Sequence, residues 1–218
     1  MAYRIADARE QFDSWSARYD WDLLQSLLFK PSHRMLLDTL SAADERVLDI
    51  GCGTGLFAGR LLKRFPRSQV CGLDLSRSML RQGRPRCEAA GGRVCLVQGD
   101  SERLPFAADT FDAVTCTHSF HHYPRQARVL AEVHRVLKPG GRALIIDGDR
   151  DQPWGRLIFD VFVVILEGRV RHLTSHAFRD LYARTGFANV RQQRRGGLAP
   201  FLMTVGQAVK PGAAQVAA

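Results

Sequence analysis

The residues best suited to chemistry lie in the stretch "VLDIGCGTG", residues 47–55. Gly51, Gly53 and Gly55 alternate with other residues at the end of an apolar run. Glycines at this spacing let the backbone bend sharply and approach a ligand with no Cβ in the way. Asp49 stands two positions before the first of them, and Asp74 ends the next apolar run, 19 residues after Gly55. A carboxylate at that second strand tip can accept from both hydroxyls of a ribose. Together the glycine turn and Asp74 point to an adenosine-bearing ligand. The spacing is G-x-G-x-G and not the G-x-G-x-x-G that seats a pyrophosphate on a helix N-terminus. An acid at Asp49 is unhelpful to a pyrophosphate and suits a ligand carrying an ammonium and a sulfonium. NAD is therefore disfavoured.

A second cluster is "THSFHHY", residues 117–123, with three histidines within five positions. Neutral imidazoles there can hold loop backbone, or one of His121 and His122 can face an active site. A metal site is not expected, because no second group of Cys, Asp or Glu with ligand spacing accompanies the cluster. His118, His122, Tyr123 and His176 are weak candidates for a general base, and none stands out.

These residues need a scaffold that brings strand ends together. "RVLDIG", "QVCGLD", "VCLVQGD", "FDAVTCT" and "RALIID" read as strands, apolar on both faces as parallel strands covered on both sides should be. Helical stretches alternate with them. "LFAGRLLKRF" follows the first. "SRSMLRQGRPRCEAAGG" follows the second, with Ser76 as N-cap and Pro85 expected to kink or divide it. "PRQARVLAEVHRVLKPGG" follows the fourth and should end at Pro139-Gly140-Gly141. The alternation predicts a doubly wound α/β sheet. Beyond it, "SHAFRDLYARTGF" reads as a capped helix stopped by Gly186, and "NVRQQRRGG" and "FLMTVGQAV" as two final strands. The expected organisation is a single domain of residues 1–218. It comprises an N-terminal helical cap (1–45), a ligand-binding core (46–147), a substrate-side insertion (148–175) and a C-terminal helix with a strand pair (176–210). The tail from Pro211 is expected to lack order.

Composition narrows the class. The chain has 218 residues, 45% hydrophobic and 24% charged, which suits one domain with a substantial core. No apolar run reaches the length of a membrane span, and the N-terminus has no secretory signal pattern, so a cytoplasmic protein is expected. The five cysteines include no C-x-x-C, and Cys71, Cys95 and Cys116 sit in apolar runs as small hydrophobes. The net charge of +9 is carried almost wholly by arginine. Its clusters lack the interleaved aromatics of a nucleic-acid platform, so no nucleic-acid partner is expected.

Taken in order and spacing, "VLDIGCGTG", "GLDLS", "GDSERLPF", "FDAVT" and "RVLKPGG" resemble the class I S-adenosylmethionine-dependent methyltransferases, in the branch of the ubiquinone and menaquinone biosynthesis enzymes. The resemblance covers roughly residues 12 to 147. It implies a Rossmann-like, doubly wound, seven-stranded, mostly parallel sheet, with N-terminal helices and an insertion after strand five forming a cap. It also implies S-adenosyl-L-methionine as cofactor and S-adenosyl-L-homocysteine as product. Gly51, Cys52, Gly53 and Gly55 would wrap the methionine part, with Asp49 beneath it. Asp74 would hold the ribose, Leu75 and Met79 would pack on the adenine, and Asp100 would accept from its amino group, with Ser101 and Glu102 nearby. Thr117 and His118 would lie beside the methionyl moiety, and Tyr19 would close over the cofactor.

The inferred reaction is in-line methyl transfer to a small, hydrophobic acceptor. Alignment and exclusion of water can be worth roughly 7–11 kcal/mol in such a reaction. "PWGRLIFDVFVVILEG" and the aromatic N-terminus would line the acceptor pocket, as a roof over the sheet. The rivals are a cofactor-binding protein without transfer and a membrane-peripheral lipid methyltransferase, since the charge leaves membrane-surface contact open. Monomer and homodimer are both left open.

Overall fold

The computed structural model describes residues 29–159, 170–197 and 200–210. Tyr19, most of the N-terminal cap, residues 160–169 of the expected roof and the tail from Pro211 lie outside the described residues.

The described elements begin with helix α1 (Lys30–Thr39) and strand β1 (Arg46–Ile50). Helix α2 (Leu56–Arg64), strand β2 (Gln69–Asp74), helix α3 (Arg77–Glu88) and strand β3 (Val94–Gln98) follow. Strand β4 (Phe111–Thr117) leads through a single 3₁₀ turn, Phe120–His122, into helix α4 (Gln126–Val136) and strand β5 (Leu137–Gly148). A short helix α5 (Pro153–Leu157), helix α6 (Ser175–Arg184) and strands β6 (Phe187–Arg195) and β7 (Phe201–Ala208) complete the described elements.

The seven strands form one sheet in the order β3-β2-β1-β4-β5-β7-β6. The first five run parallel and β7 is inserted antiparallel between β5 and β6. The order reverses direction at β1, so the carboxyl ends of β1 and β4 flank the crevice where open α/β sheets bind ligands. One face buries Leu48, Ile50 and Val114 against Val129, Leu130 and Val133 of α4 and Phe178 and Tyr182 of α6. The other buries Val47, Val70 and Leu144 against Leu36 of α1 and Phe57 and Leu61 of α2.

Two local expectations change. Pro85 lies inside α3 without ending it. Contacts on either side hold the helix against the glycine turn: a Cβ at Gly83 would stand 2.9 Å from Thr54 O, and Arg86 Nη1 donates to that oxygen at 3.1 Å. Such packing outweighs the one backbone bond that proline cannot make. The second change concerns Pro139-Gly140-Gly141, which does not end α4. The helix stops at Val136, Leu137 already pairs with Phe111, and the Pro-Gly-Gly run forms an irregularity inside β5 before Arg142 pairs with Ala113. Gly140 takes φ +76°, the left-handed conformation such a bulge needs. Ser76 does cap α3, its Oγ accepting from Met79 N at 3.2 Å, and Thr174 caps α6. Cys116 is buried as expected, whereas Cys71 is half-buried and Cys95 is exposed, because β3 is the sheet edge.

Candidate active site

The carboxyl ends of β1, β2 and β4 open onto a cavity of about 720 Å³, continuous with solvent. Its walls include Gly51, Gly53, Asp74, Leu75, Met79, Gly99, Asp100, Ser101, Glu102, His118, Ser119, His122 and Tyr123. A smaller space of about 330 Å³ lies on the other side of Gly51, walled by Phe29, His33, Asp49, Cys52 and Thr117 among others. The two share Gly51, so one extended ligand passing the glycine turn can occupy both.

Gly51, Gly53 and Gly55 all have positive φ, at 66°, 53° and 70°. Gly51 also has no room for a side chain: a Cβ there would stand 2.0 Å from Ser119 Oγ. Gly55 lines neither space and takes the N-cap position of α2. The turn is fastened from β2. Asp74 Oδ2 accepts from Gly53 N at 2.7 Å, and its Oδ1 accepts from Ser76 N at 2.8 Å.

Asp49 is buried in β1 and accepts a hydrogen bond from Thr115 Oγ1 at 2.8 Å. Burial pushes its carboxyl up to about 7; the Thr115 bond opposes this and the charge of Asp74 adds to it. A carboxyl poised in this way gains from a cationic ligand group. Nearby Thr117 Oγ1 is buried and has no hydrogen-bond partner among the described residues. A buried hydroxyl facing a cavity, next to a carboxyl that favours a cation, fits the ammonium-bearing end of an amino-acid ligand. At the other end, Met79 is buried at the cavity wall and Leu75 is beside it, an apolar bed for a flat base.

Asp100 and Glu102 line the cavity while also bracing their own loop. Asp100 Oδ1 accepts from Glu102 N at 2.8 Å. Glu102 is turned toward Arg125, accepting from its backbone N at 3.0 Å and its Nε at 2.7 Å. Ser101 is buried at the same wall.

Of the weak base candidates, three reach the cavity: His118, His122 and Tyr123. His118 holds a left-handed φ of 48°, costly for a non-glycine residue, and its Nε2 shares a hydrogen bond with Ser32 Oγ at 2.7 Å. Phe29 and Phe201 meet its ring edge-on. Tyr123 Oη shares a hydrogen bond with Ser119 Oγ at 2.8 Å. Burial and the nearby Cys116 thiol push the phenol well above its ordinary range, against the pull of Ser101 and Ser119, so it stays protonated. His176 is not brought to the site; it is exposed on α6 beside Asp180.

The pair His121–His122 divides. His122 lines the cavity, and His121 turns inward, its Nδ1 2.6 Å from Asp147 Oδ1. The ring of His121 thus meets a buried carboxylate, a partner the sequence did not suggest. Burial pushes Asp147 up, but His121, with His172 and His118 behind it, outweighs this and holds it well below the usual carboxylate range. Ser119, His33, Asp147 and His172 are missed from sequence. Only Asp147 carried a signal, as an acid ending a predicted strand like Asp74.

Fold and cavity together are those of a doubly wound α/β sheet with its ligand crevice at the carboxyl ends of β1 and β4. Residues 47–141 match the family described as a methyltransferase domain, and the chain resembles the ubiquinone/menaquinone biosynthesis C-methyltransferases. It is 39% identical to that enzyme of Syntrophotalea carbinolica over 146 residues, 65% of this chain and 61% of the relative. It is 43% identical to that of Desulfotalea psychrophila over 104 residues, 47% of this chain and 41% of the relative. The chain thus spans less than two thirds of the length of these relatives. Among solved structures, a 1,6-didemethyltoxoflavin-N1-methyltransferase of Burkholderia thailandensis, with its substrate and S-adenosylhomocysteine bound, superposes with a TM-score of 0.75 at 22% identity. The superposition covers 94% of this chain and 88% of that one, and the likeness is one of fold. No helix among the described residues is long and apolar enough to cross a membrane.

Proposed function

We propose that this chain is an S-adenosylmethionine-dependent methyltransferase acting on a small, hydrophobic acceptor. The observation that carries the reading is the cradle: Gly51 with no space for a Cβ, Asp74 bonded across to Gly53, and buried Asp49 beside the Thr117 hydroxyl, which has no partner among the described residues. Asp49 and Thr117 would hold the amino-acid end, Asp74 the ribose, and Leu75, Met79 and Asp100 the adenine. Tyr19, outside the described residues, would close over it. The bound cofactor supplies a methyl group already activated by its sulfonium.

The work left to the protein is alignment and exclusion of water. His118, Ser119, His122 and Tyr123 wall the side of the cavity beyond the glycine turn, where an acceptor would enter. A general base is required only where the accepting atom must lose a proton. His122 is then the best placed, as an imidazole at the cavity wall.

Residues 148–175 would roof the acceptor side. Phe159 supports this reading: its ring packs where a Cβ on Gly148 would stand, 2.5 Å from Phe159 Cε1, and against His172 at 4.7 Å between centroids. The relatives are named for ubiquinone and menaquinone biosynthesis, so an aromatic, apolar quinone precursor is the first acceptor to try. Titration calorimetry with S-adenosylhomocysteine and NAD, followed by transfer of a radiolabelled methyl group into a metabolite extract, tests the proposal. Binding of the first ligand alone and a labelled organic product are expected; preferential binding of NAD refutes it.

A further inference from the structure

Behind the cavity wall, three side chains from distant parts of the sequence converge. His121 comes from the 3₁₀ turn after β4, Asp147 from the carboxyl end of β5, and His172 from the segment before α6. All three are buried, and each offers one ligand atom within 4.8 Å of the others. The imidazoles of His121 and His172 stack, with centroids 4.2 Å apart and planes 21° from parallel, so both edges face the same carboxylate. His121 Nδ1 is 2.6 Å and His172 Nε2 3.8 Å from Asp147 Oδ1.

The two carboxylate oxygens differ. Oδ1 already accepts from Gly148 N at 2.9 Å and meets His121. Oδ2 is fully enclosed and has no hydrogen-bond partner among the described residues. A buried, anionic oxygen without a donor is costly, and in native proteins it calls for a specific explanation such as an ion. Two imidazole nitrogens and a carboxylate form the donor set that divalent transition metals bind in three-ligand sites with an open position.

We propose that His121, Asp147 and His172 form a binding site for a divalent transition-metal cation of the zinc or cobalt class. Metal–ligand distances of roughly 2.0–2.2 Å place tetrahedral donor atoms about 3.4 Å apart, so a set that now lies within 4.8 Å must close by side-chain movements on the order of an ångström. The surroundings are built to hold the ligands. Gln126 Nε2 donates to Phe120 O at 3.1 Å and to Arg171 O at 2.9 Å, clamping the residues just before His121 and His172. Arg171 N donates to His121 O at 2.9 Å, joining the two ligand segments directly. Phe159 packs against the buried His172 ring. The absence of ligand spacing in the sequence carries no weight against the site, because the second and third ligands arrive through β5 and the approach to α6. His122, its ring 4.2 Å from that of His121, connects the site to the cavity wall. A cation there would fix that wall and place positive charge one ring away from the acceptor side.

The test is independent of turnover and of the acceptor. The full chain is treated with chelator, passed into metal-free buffer and titrated with Co²⁺, following the visible d–d bands and the heat of binding. About one equivalent should bind with histidine-like bands, and Zn²⁺ should displace it. Asp147→Asn and His172→Gln should each weaken Co²⁺ by more than about tenfold. Circular dichroism and binding of S-adenosylhomocysteine confirm that each variant is folded, and they report separately on the cofactor reading. If Asp147→Asn fails to fold, His172→Gln carries the test. No saturable Co²⁺ binding, or bands unchanged in a folded variant, overturns the proposal.

Discussion

Asp74 Oδ2 accepts a hydrogen bond from Gly53 N across 2.7 Å, tying the tip of β2 to the glycine turn that follows β1. One carboxylate thus shapes the turn before any ligand arrives. The same side chain is proposed to receive the ribose, so its loss should act twice.

Asp74→Ala should lower affinity for S-adenosylhomocysteine at least tenfold, since each charge-assisted bond is worth about 1.5–3 kcal/mol. It should also lower stability by about 1–3 kcal/mol, because Gly53 N and Ser76 N each lose an acceptor. Calorimetry and urea unfolding read the two effects. Unchanged affinity in a folded variant would overturn the cofactor assignment.

Gly51→Ala should abolish measurable cofactor binding at concentrations that saturate the parent. The new Cβ would strike Ser119 Oγ, and φ of +66° strains any side chain by about 1–2 kcal/mol. Combining it with Ser119→Gly removes the two closest contacts and leaves Tyr123 Oη at 3.0 Å and the backbone strain, so binding should recover in part. A double variant no better than the single would show that the Ser119 clash is not what limits binding.

Asp49 makes cofactor affinity depend on pH. Its carboxyl, pushed up to about 7 by burial, must ionise to face the ligand ammonium. Affinity should be level above roughly pH 8 and fall by up to about tenfold per unit below pH 7, with one proton released on binding. The other groups bearing on Asp49 are the Asp74 carboxylate and the Cys52 and Cys116 thiols, which burial pushes up and keeps neutral. Stability has the opposite sign. The folded protein holds a proton on Asp49 that the unfolded chain gives up near pH 4, so this group costs stability progressively as pH rises from about 4 to 7. Asp49→Asn should flatten the affinity profile and gain on the parent in urea midpoint across that window. An unchanged affinity profile would remove Asp49 from the site.

Gly148→Ala tests the roof. A Cβ there overlaps the Phe159 ring, which must move. Methyl transfer to the acceptor should fall severalfold while cofactor affinity stays within about twofold. Equal losses in both would place the effect in the sheet and not in the roof.

Local chemistry made much of this protein legible in its sequence. The glycine turn, Asp49, Asp74 and the α/β alternation are visible because glycine's freedom at positive φ and the apolar run of a doubly covered strand are properties of neighbouring residues. The final helix, stopped near Gly186, and the last two strands were legible for the same reason. What sequence could not assign depended on packing between distant segments. Pro85 stays inside α3 because Gly83 and Arg86 lock the helix to the turn. Pro139-Gly140-Gly141 becomes a bulge because Leu137 finds Phe111 before the helix can continue. Cys95 is exposed because β3 forms the edge. His121 and His122 are adjacent in sequence and look equivalent there. Only the tertiary structure sends one to the cavity and the other to Asp147 and His172, because parallel strand order brings the ends of β4 and β5 side by side and carries an acid from 26 residues away to within hydrogen-bond reach.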